Sequence, residues 1–349
     1  MTDTSNRKAE LLANPVEHID IASFDGRVII DAWEKMSFSS RDAARAARIL
    51  QQAVADPDCA VILTLAGSTS AGGCMHVWRD MVRNNMVDAI VATGASIVDM
   101  DFFEALGFKH YQASDTVDDR DLRDLYIDRI YDTYIDEEEL QTCDHVIGEI
   151  ADSLPAGPMS SRAFIKAMGK WLADGNAKKE GSLIEECYHH GVPIFVPAFS
   201  DCSAGFGLVK HQVERMKKGE PYLSIDSVAD FRECTDVKIK AGKTGLFMVG
   251  GGVPKNFAQD TVVCAEILGH ENVSMHAYAV QITVADVRDG ACSSSTLKEA
   301  CSWGKVDVAL EQMVFAEATT VAPVIISDVF HRGAWKTRPK HRFADMFED

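Results

Sequence analysis

Two short segments hold the residues with the most chemistry to offer. CSWGKV (301–306) sets Lys305 two positions after Trp303. A lysine amine taken out of water loses part of its preference for the charged form, and the neutral amine can form a Schiff base. The indole of Trp303 offers an apolar wall to an aliphatic chain or a π face to a cation. Glu299 and Asp289 lie just upstream, so acids gather around a candidate cation site. For a lone lysine or acid, a solvated surface charge is the commoner situation. The second segment, VGGGVPK (249–255), follows an apolar run. Its glycines let backbone approach a phosphate, and Pro254 suits the first turn of a helix expected to run to about Leu268, with Gly269 stopping it. A nucleotide pyrophosphate at that helix start, or a tight turn without ligand, both fit, because the spacing is not G-x-G-x-x-G. The loops AGSTSAGG (66–73) and TGAS (93–96) share the small-residue character and favour a dinucleotide site.

The elements that must position these loops are short strands alternating with helices. The apolar runs at 60–65, 89–92, 192–196 and 246–249 each end in a small or Gly-rich loop and precede a helical pattern. Strands apolar on both faces imply a sheet covered on both sides. The expected fold is α/β, Rossmann-like and doubly wound, with a mainly parallel sheet and helices on both faces; ligands then bind beyond the carboxyl ends of the strands. Residues 1–14 read as a flexible N-terminal arm, 15–336 as a single domain and 337–349 as a loose charged tail. LPAGPMSS (154–161) is read as a loop between helices, with Ser160 or Ser161 capping the second, rather than as a domain boundary.

The 349 residues carry 53 acidic and 35 basic side chains, a formal charge of −18, which disfavours nucleic acid and anionic membranes as partners and favours cations such as a polyamine. Nine cysteines without a Cys-x-x-Cys pair fit free thiols in a reducing compartment. No apolar leader or run of about 18 apolar residues occurs, so a cytoplasmic protein is expected. His189 and His190 read as a helix end, Met75, Met81 and Met86 as packing, and no metal motif stands out.

Taken together, NNMVDAIVATGA (84–95), VPIFVPAFSDCSAG (192–205), GGGVPK (250–255), EACSWGKV (299–306) and VFAEATTVAP (314–323) resemble the deoxyhypusine synthase family, and more closely its bacterial deoxyhypusine synthase-like branch. The resemblance runs from about Cys59 to Val324. It implies an NAD-dependent transferase that oxidises spermidine, releases 1,3-diaminopropane, holds the 4-aminobutyl group as an imine on a lysine and passes it to an acceptor amine. Lys305 matches that lysine, and Trp303 and Glu299 match positions lining the spermidine channel, with Asp289 in the same loop. Ser68, Ser70, Thr93, Gly94, Ala95, Asp201, Gly251, Gly252, Ala285 and Glu317 fall on or beside the cofactor-contacting segments. A homotetramer with sites at a dimer interface is implied.

The chain departs from the family pattern in its amine pocket. Asn256 stands where the protein-modifying enzymes carry histidine, Phe206 and Cys292 stand where they carry acids, and Asp99 replaces a glutamate; Asp260 restores one negative charge. These changes tilt the reading toward a small acceptor such as putrescine, giving homospermidine. The other readings are deoxyhypusine synthesis on a translation-factor lysine, and an idle NAD- or polyamine-binding paralogue, against which the unbroken SWGK argues.

Overall fold

The computed structural model describes residues 2–113, 117–270, 273–289 and 295–347, so Cys292 lies outside the described residues. Its centre is a six-stranded sheet of β1 (Cys59–Leu65), β2 (Ala89–Ala92), β3 (Ile194–Phe195), β4 (Lys243–Val249), β5 (Tyr278–Thr283) and β6 (Glu311–Phe315). Every neighbouring pair is parallel. The spatial order is β3-β2-β1-β4-β5-β6, the order of a dinucleotide-binding doubly wound sheet, which reverses direction between β1 and β4.

Side chains alternate across the strands, and each face meets its own helices. Val61, Leu63, Ile90, Phe247 and Val280 join one core with Ala47, Leu50, Trp78 and Ile325. Their neighbours Ala60, Ile62, Val91, Leu246 and Ala279 join a second with Val237, Ala258 and Leu297. The long apolar runs within the strands are thus the direct consequence of burial on both faces. The expected α/β doubly wound fold is the fold found. Two small sheets lie outside it, one antiparallel, built from Tyr111–Gln112, Ile127–Ile130 and Thr133–Asp136, and one pairing Gly157–Met159 with Leu223–Ile225.

Local signals act as the residues suggest. The helix Gly252–Ile267 is followed by Gly269 at φ 89°, and Ser160 caps the helix Ser161–Trp171 by accepting from the Ala163 amide. Met75, Met81 and Met86 are buried, and His189 and His190 close the helix Leu183–His190 before a left-handed Gly191. The N-terminal arm forms a helix, Thr2–Leu11. The tail differs from its expected looseness: Arg338 and Phe343 are buried, because the core edge offers Arg338 a buried carboxylate partner in Asp88. Eight described cysteines are free thiols. Among the described residues no helix is long and apolar enough to cross a membrane, and no group of His, Cys, Asp and Glu side chains is placed to hold a metal ion.

Candidate functional site

At the carboxyl edge of the sheet, where the connections after β1 and β4 part, the loops enclose a cleft of about 610 Å³. Its walls come from Ala66 and Gly67 after β1, Thr93 and Gly94 after β2, Asp201 after β3, Gly250–Gly252 after β4, and Ala285 and Asp289 after β5. The backbone geometry explains the small residues. Gly250 has φ +73°, and a Cβ there would lie 3.2 Å from the Ala66 Cβ. A Cβ on Gly94 would lie 2.5 Å from Cys202 Sγ. Gly251 occupies the N-cap of the Gly252 helix with no side chain over its amides, so the cleft floor presents the positive end of a 16-residue helix. The hydroxyl of Ser96 bridges Thr93 Oγ1 (2.9 Å) and the Gly67 carbonyl (3.1 Å), locking the first two loops together.

The amine-bearing group lies along the flank of the same helix. Lys305 follows Gly304, whose φ of +71° permits the turn after the helix Leu297–Ser302. Its side chain is 12% exposed; Nζ lies 2.5 Å from Asp260 Oδ1 and 5.3 Å from the Trp303 ring centre. Asp260 and Asn256 are one turn apart on the Gly252 helix, so they share a face. Lys255, to which the sequence reading gave no role, is fully buried and donates to Gln281 Oε1 (2.9 Å) and to the Ser295 carbonyl. Gln281 Nε2 in turn donates to the Gly250 carbonyl at 2.9 Å, tying this lysine to the glycine loop of the cleft. Burial pushes the Lys255 ammonium down to about 8, with Glu299 opposing that and Lys305 adding to it. The signal that could have found Lys255 is a lysine in an apolar helix start immediately after the glycines.

The structure distributes the sequence-predicted residues over several places. Thr93, Gly94, Asp201, Gly251, Gly252, Ala285 and Asp289 line the cleft. Ser68 accepts from the Gly72 amide and Ser70 is buried at the next turn, so both shape the loop after β1. Ala95 opens the segment Ala95–Phe102 beyond Gly94. Glu317 caps the helix Ala318–Arg332, accepting from the Thr319 and Thr320 amides, each at 3.0 Å. Glu299 completes a capping box with Thr296, whose amide donates to Oε2 at 2.6 Å; this bond holds its carboxyl below the usual range. Phe206 is 71% exposed.

Asp99 is turned toward the helix Ser203–Lys218, accepting from the Ser203 amide at 2.7 Å, while Ser203 Oγ donates to Asp144. Burial pushes the Asp99 carboxyl up to about 6, the Ser203 amide pulls it down, and the charges of Asp144 and Asp201 push it further up. A carboxyl raised on folding stabilises fully below its unfolded value near 4, and that contribution is lost as pH rises through 6. Asp99→Asn, which still accepts the Ser203 bond, is therefore expected to be more stable than the parent above pH 7 by roughly 2–3 kcal/mol. The advantage should vanish by about pH 4 in urea melts. A variant equally favoured at both ends of the range would show that Asp99 does not titrate in this way.

Comparison with known proteins adds sequence and structural likeness. The family model for deoxyhypusine synthase matches residues 28–329. A deoxyhypusine synthase-like protein of Caulobacter vibrioides is 72% identical over 98% of this chain and 93% of its own length. Another, from Chlorobaculum tepidum, is 56% identical over 100% of this chain and 98% of its own. Among solved structures, an Entamoeba histolytica protein assigned as a deoxyhypusine synthase superposes with a TM-score of 0.60 at 18% identity, covering 90% of this chain and 97% of the other, which speaks to the fold alone.

Proposed function

Because the chain belongs to the deoxyhypusine synthase family, which implies a transferase, we propose that it moves the 4-aminobutyl group of spermidine to an acceptor amine through an imine on Lys305. The observation that carries this reading is the placement of Lys305, 12% exposed between Trp303 and Asp260, the latter on the helix whose N-terminus floors the glycine-lined cleft. A carboxylate and an aromatic face suit a polyamine, and a partly enclosed amine suits imine exchange.

The cleft fits a dinucleotide such as NAD. Its volume lies in the range of cofactor sites, and at Gly252, where the helix begins, a side chain would meet no protein atom within 4 Å, leaving room for a ligand to approach the backbone. Thr93, Gly94, Gly251, Gly252 and Ala285 would hold the group, with the amides at the start of the Gly252 helix facing its phosphates and Asp201 and Asp289 at its margin. Bound there, NAD supplies a hydride acceptor for spermidine oxidation that returns the hydride once the acceptor is joined. The protein's own part is to present the Lys305 amine, to anchor substrate ammonium groups by Asp260 and Asp289, and to set Asn256 beside the amine. Val253, Val284, Val287 and Trp303 are all more than half exposed near the cleft and Lys305, which supports a second subunit closing the site and a homotetramer.

The acceptor we favour is a small diamine, putrescine, giving homospermidine. Phe206 and Asn256 support this, since neither adds charge for a second protein's lysine. Purified protein with NAD, spermidine and putrescine is expected to yield 1,3-diaminopropane and homospermidine by mass spectrometry. Diaminopropane without homospermidine would shift the acceptor to a protein lysine, as in deoxyhypusine synthesis, and neither product would favour a non-catalytic NAD- or polyamine-binding paralogue.

A further inference from the structure

Behind Lys305 the core holds three polar side chains with no exposure: Lys238, Thr244 and His276. Lys238 comes from the helix Ser227–Ala241, Thr244 is the second residue of β4, and His276 lies two residues before β5. Lys238 Nζ donates to the Gly242 carbonyl at 2.6 Å and to Thr244 Oγ1 at 2.9 Å. Thr244 Oγ1 lies 2.8 Å from His276 Nδ1, and His276 Nε2 lies 3.2 Å from the Ala258 carbonyl.

Carbonyls at both ends can only accept, and with a neutral His276 ring this fixes the direction of every bond. Nε2 of His276 carries the proton it gives to Ala258, Nδ1 accepts, and the Thr244 hydroxyl supplies it while receiving from Lys238. Burial drives the His276 imidazolium far below its ordinary range and the Lys238 ammonium down to about 8, in keeping with a neutral ring. Packing alone does not call for such a chain, since apolar side chains of similar volume fill a core as well.

What the chain joins is the Lys305 segment to the helix of its counter-ion. The His276 amide donates to the Lys305 carbonyl at 2.9 Å, and the His276 carbonyl accepts from the Asp307 amide at 3.0 Å. These bonds form a short parallel bridge centred on Val306. The His276 ring meanwhile grips Ala258, two residues from Asp260. One residue therefore sets the backbone that bears the amine and the helix that bears the carboxylate.

We propose that Lys238, Thr244 and His276 form a positioning chain for Lys305, holding its amine against Asp260 in the geometry required for imine exchange. The proposal rests on the reading of Lys305 as the carrier of the transferred group. None of the three touches substrate; each acts through Lys305.

The test compares Thr244→Val, which keeps shape and removes the hydroxyl, with Thr244→Ser, which keeps the hydroxyl, in the full-length protein. Lys305 is followed by trace acylation with isotope-coded acetic anhydride and peptide mass spectrometry, with exposed Lys217 as internal reference. Labelling needs no turnover, so it separates this proposal from the imine reading. Thr244→Val is expected to raise Lys305 labelling relative to Lys217 about fivefold, the effect of one lost hydrogen bond. It should also lower kcat about tenfold at unchanged KM for NAD, and Thr244→Ser should restore both. In an Asp260→Asn background the labelling increase should disappear, because the ion pair it releases is already gone. Unchanged labelling in Thr244→Val, or failure of serine to rescue, would overturn the proposal. A labelling response in a protein that forms no borohydride-trapped adduct with spermidine would support the positioning chain and overturn the imine reading instead. Should Thr244→Val not fold, Lys238→Met carries the same comparison.

Discussion

Lys305→Ala is expected to abolish the adduct that borohydride traps when the protein is given NAD and spermidine, and to reduce 1,3-diaminopropane and acceptor product by at least about 10³-fold. Two features make this the largest expected catalytic effect. A covalent carrier has no substitute in the same position: Asp260 and Trp303, its contacts, cannot form an imine. Lys255 is fully buried and held by Gln281 and Ser295, away from exchange with a bulky donor. Lys305→Arg should behave like alanine, since guanidinium keeps the charge opposite Asp260 and lacks a nucleophilic neutral form at ordinary pH. Dinucleotide binding should survive both changes, because Lys305 is not among the residues lining the cleft. Full transfer by the arginine variant would end the imine mechanism. A parallel loss of dinucleotide binding would instead indicate that Lys305 supports the cleft.

Much of the fold was legible because burial on both sheet faces leaves a plain trace. The apolar runs at 60–65, 89–92 and 246–249 end at glycine or small residues, and they form most of β1, β2 and β4, the central strands that create the switch point. The two strands beyond them escaped notice. β5 carries Gln281 and Thr283 inside the sheet, where one serves the Lys255 network, and β6 is an edge strand with Glu311 and Gln312 in it. Polar residues in a strand break the apolar pattern, although Gln281 is buried because it links Lys255 to the Gly250 carbonyl. The cleft was legible as loops, since glycine at Gly94 and Gly250 is required by close approach. The partners of its acids were not. Glu299 and Glu317 cap helices and Asp99 holds the Ser203 amide, and such local bonds depend on geometry that spacing alone does not supply. Lys238 and His276, far apart in the chain, had no shared motif at all.

The largest expected stability effect lies at the opposite edge of the sheet, in the segment whose charge suggested a loose tail. Arg338 is 7% exposed, and its guanidinium donates to both oxygens of Asp88, to the Asn85 carbonyl at 3.1 Å and to the Cys59 carbonyl at 2.8 Å. Asp88 also accepts from the Val61 amide at 2.7 Å, so the pair closes the amino ends of β1 and β2 together. The Asn85 side chain returns a bond to the Arg338 carbonyl at 2.9 Å, fixing the tail from both sides. Arg338→Met would leave the Asp88 carboxylate buried with its main counter-charge gone, a change that costs roughly 3–5 kcal/mol. In a chain of this size that corresponds to a Tm lower by about 5 °C. Adding Asp88→Leu should recover part of the loss, because the penalty arises from an unpaired buried charge rather than from a missing attraction. Dinucleotide binding at low temperature should be unchanged, since the cleft opens at the other end of these strands. A double variant no more stable than Arg338→Met would mean that the arginine acts through its carbonyl bonds to Cys59 and Asn85, and a Tm unmoved by Arg338→Met would mean that the tail contributes nothing to the folded state.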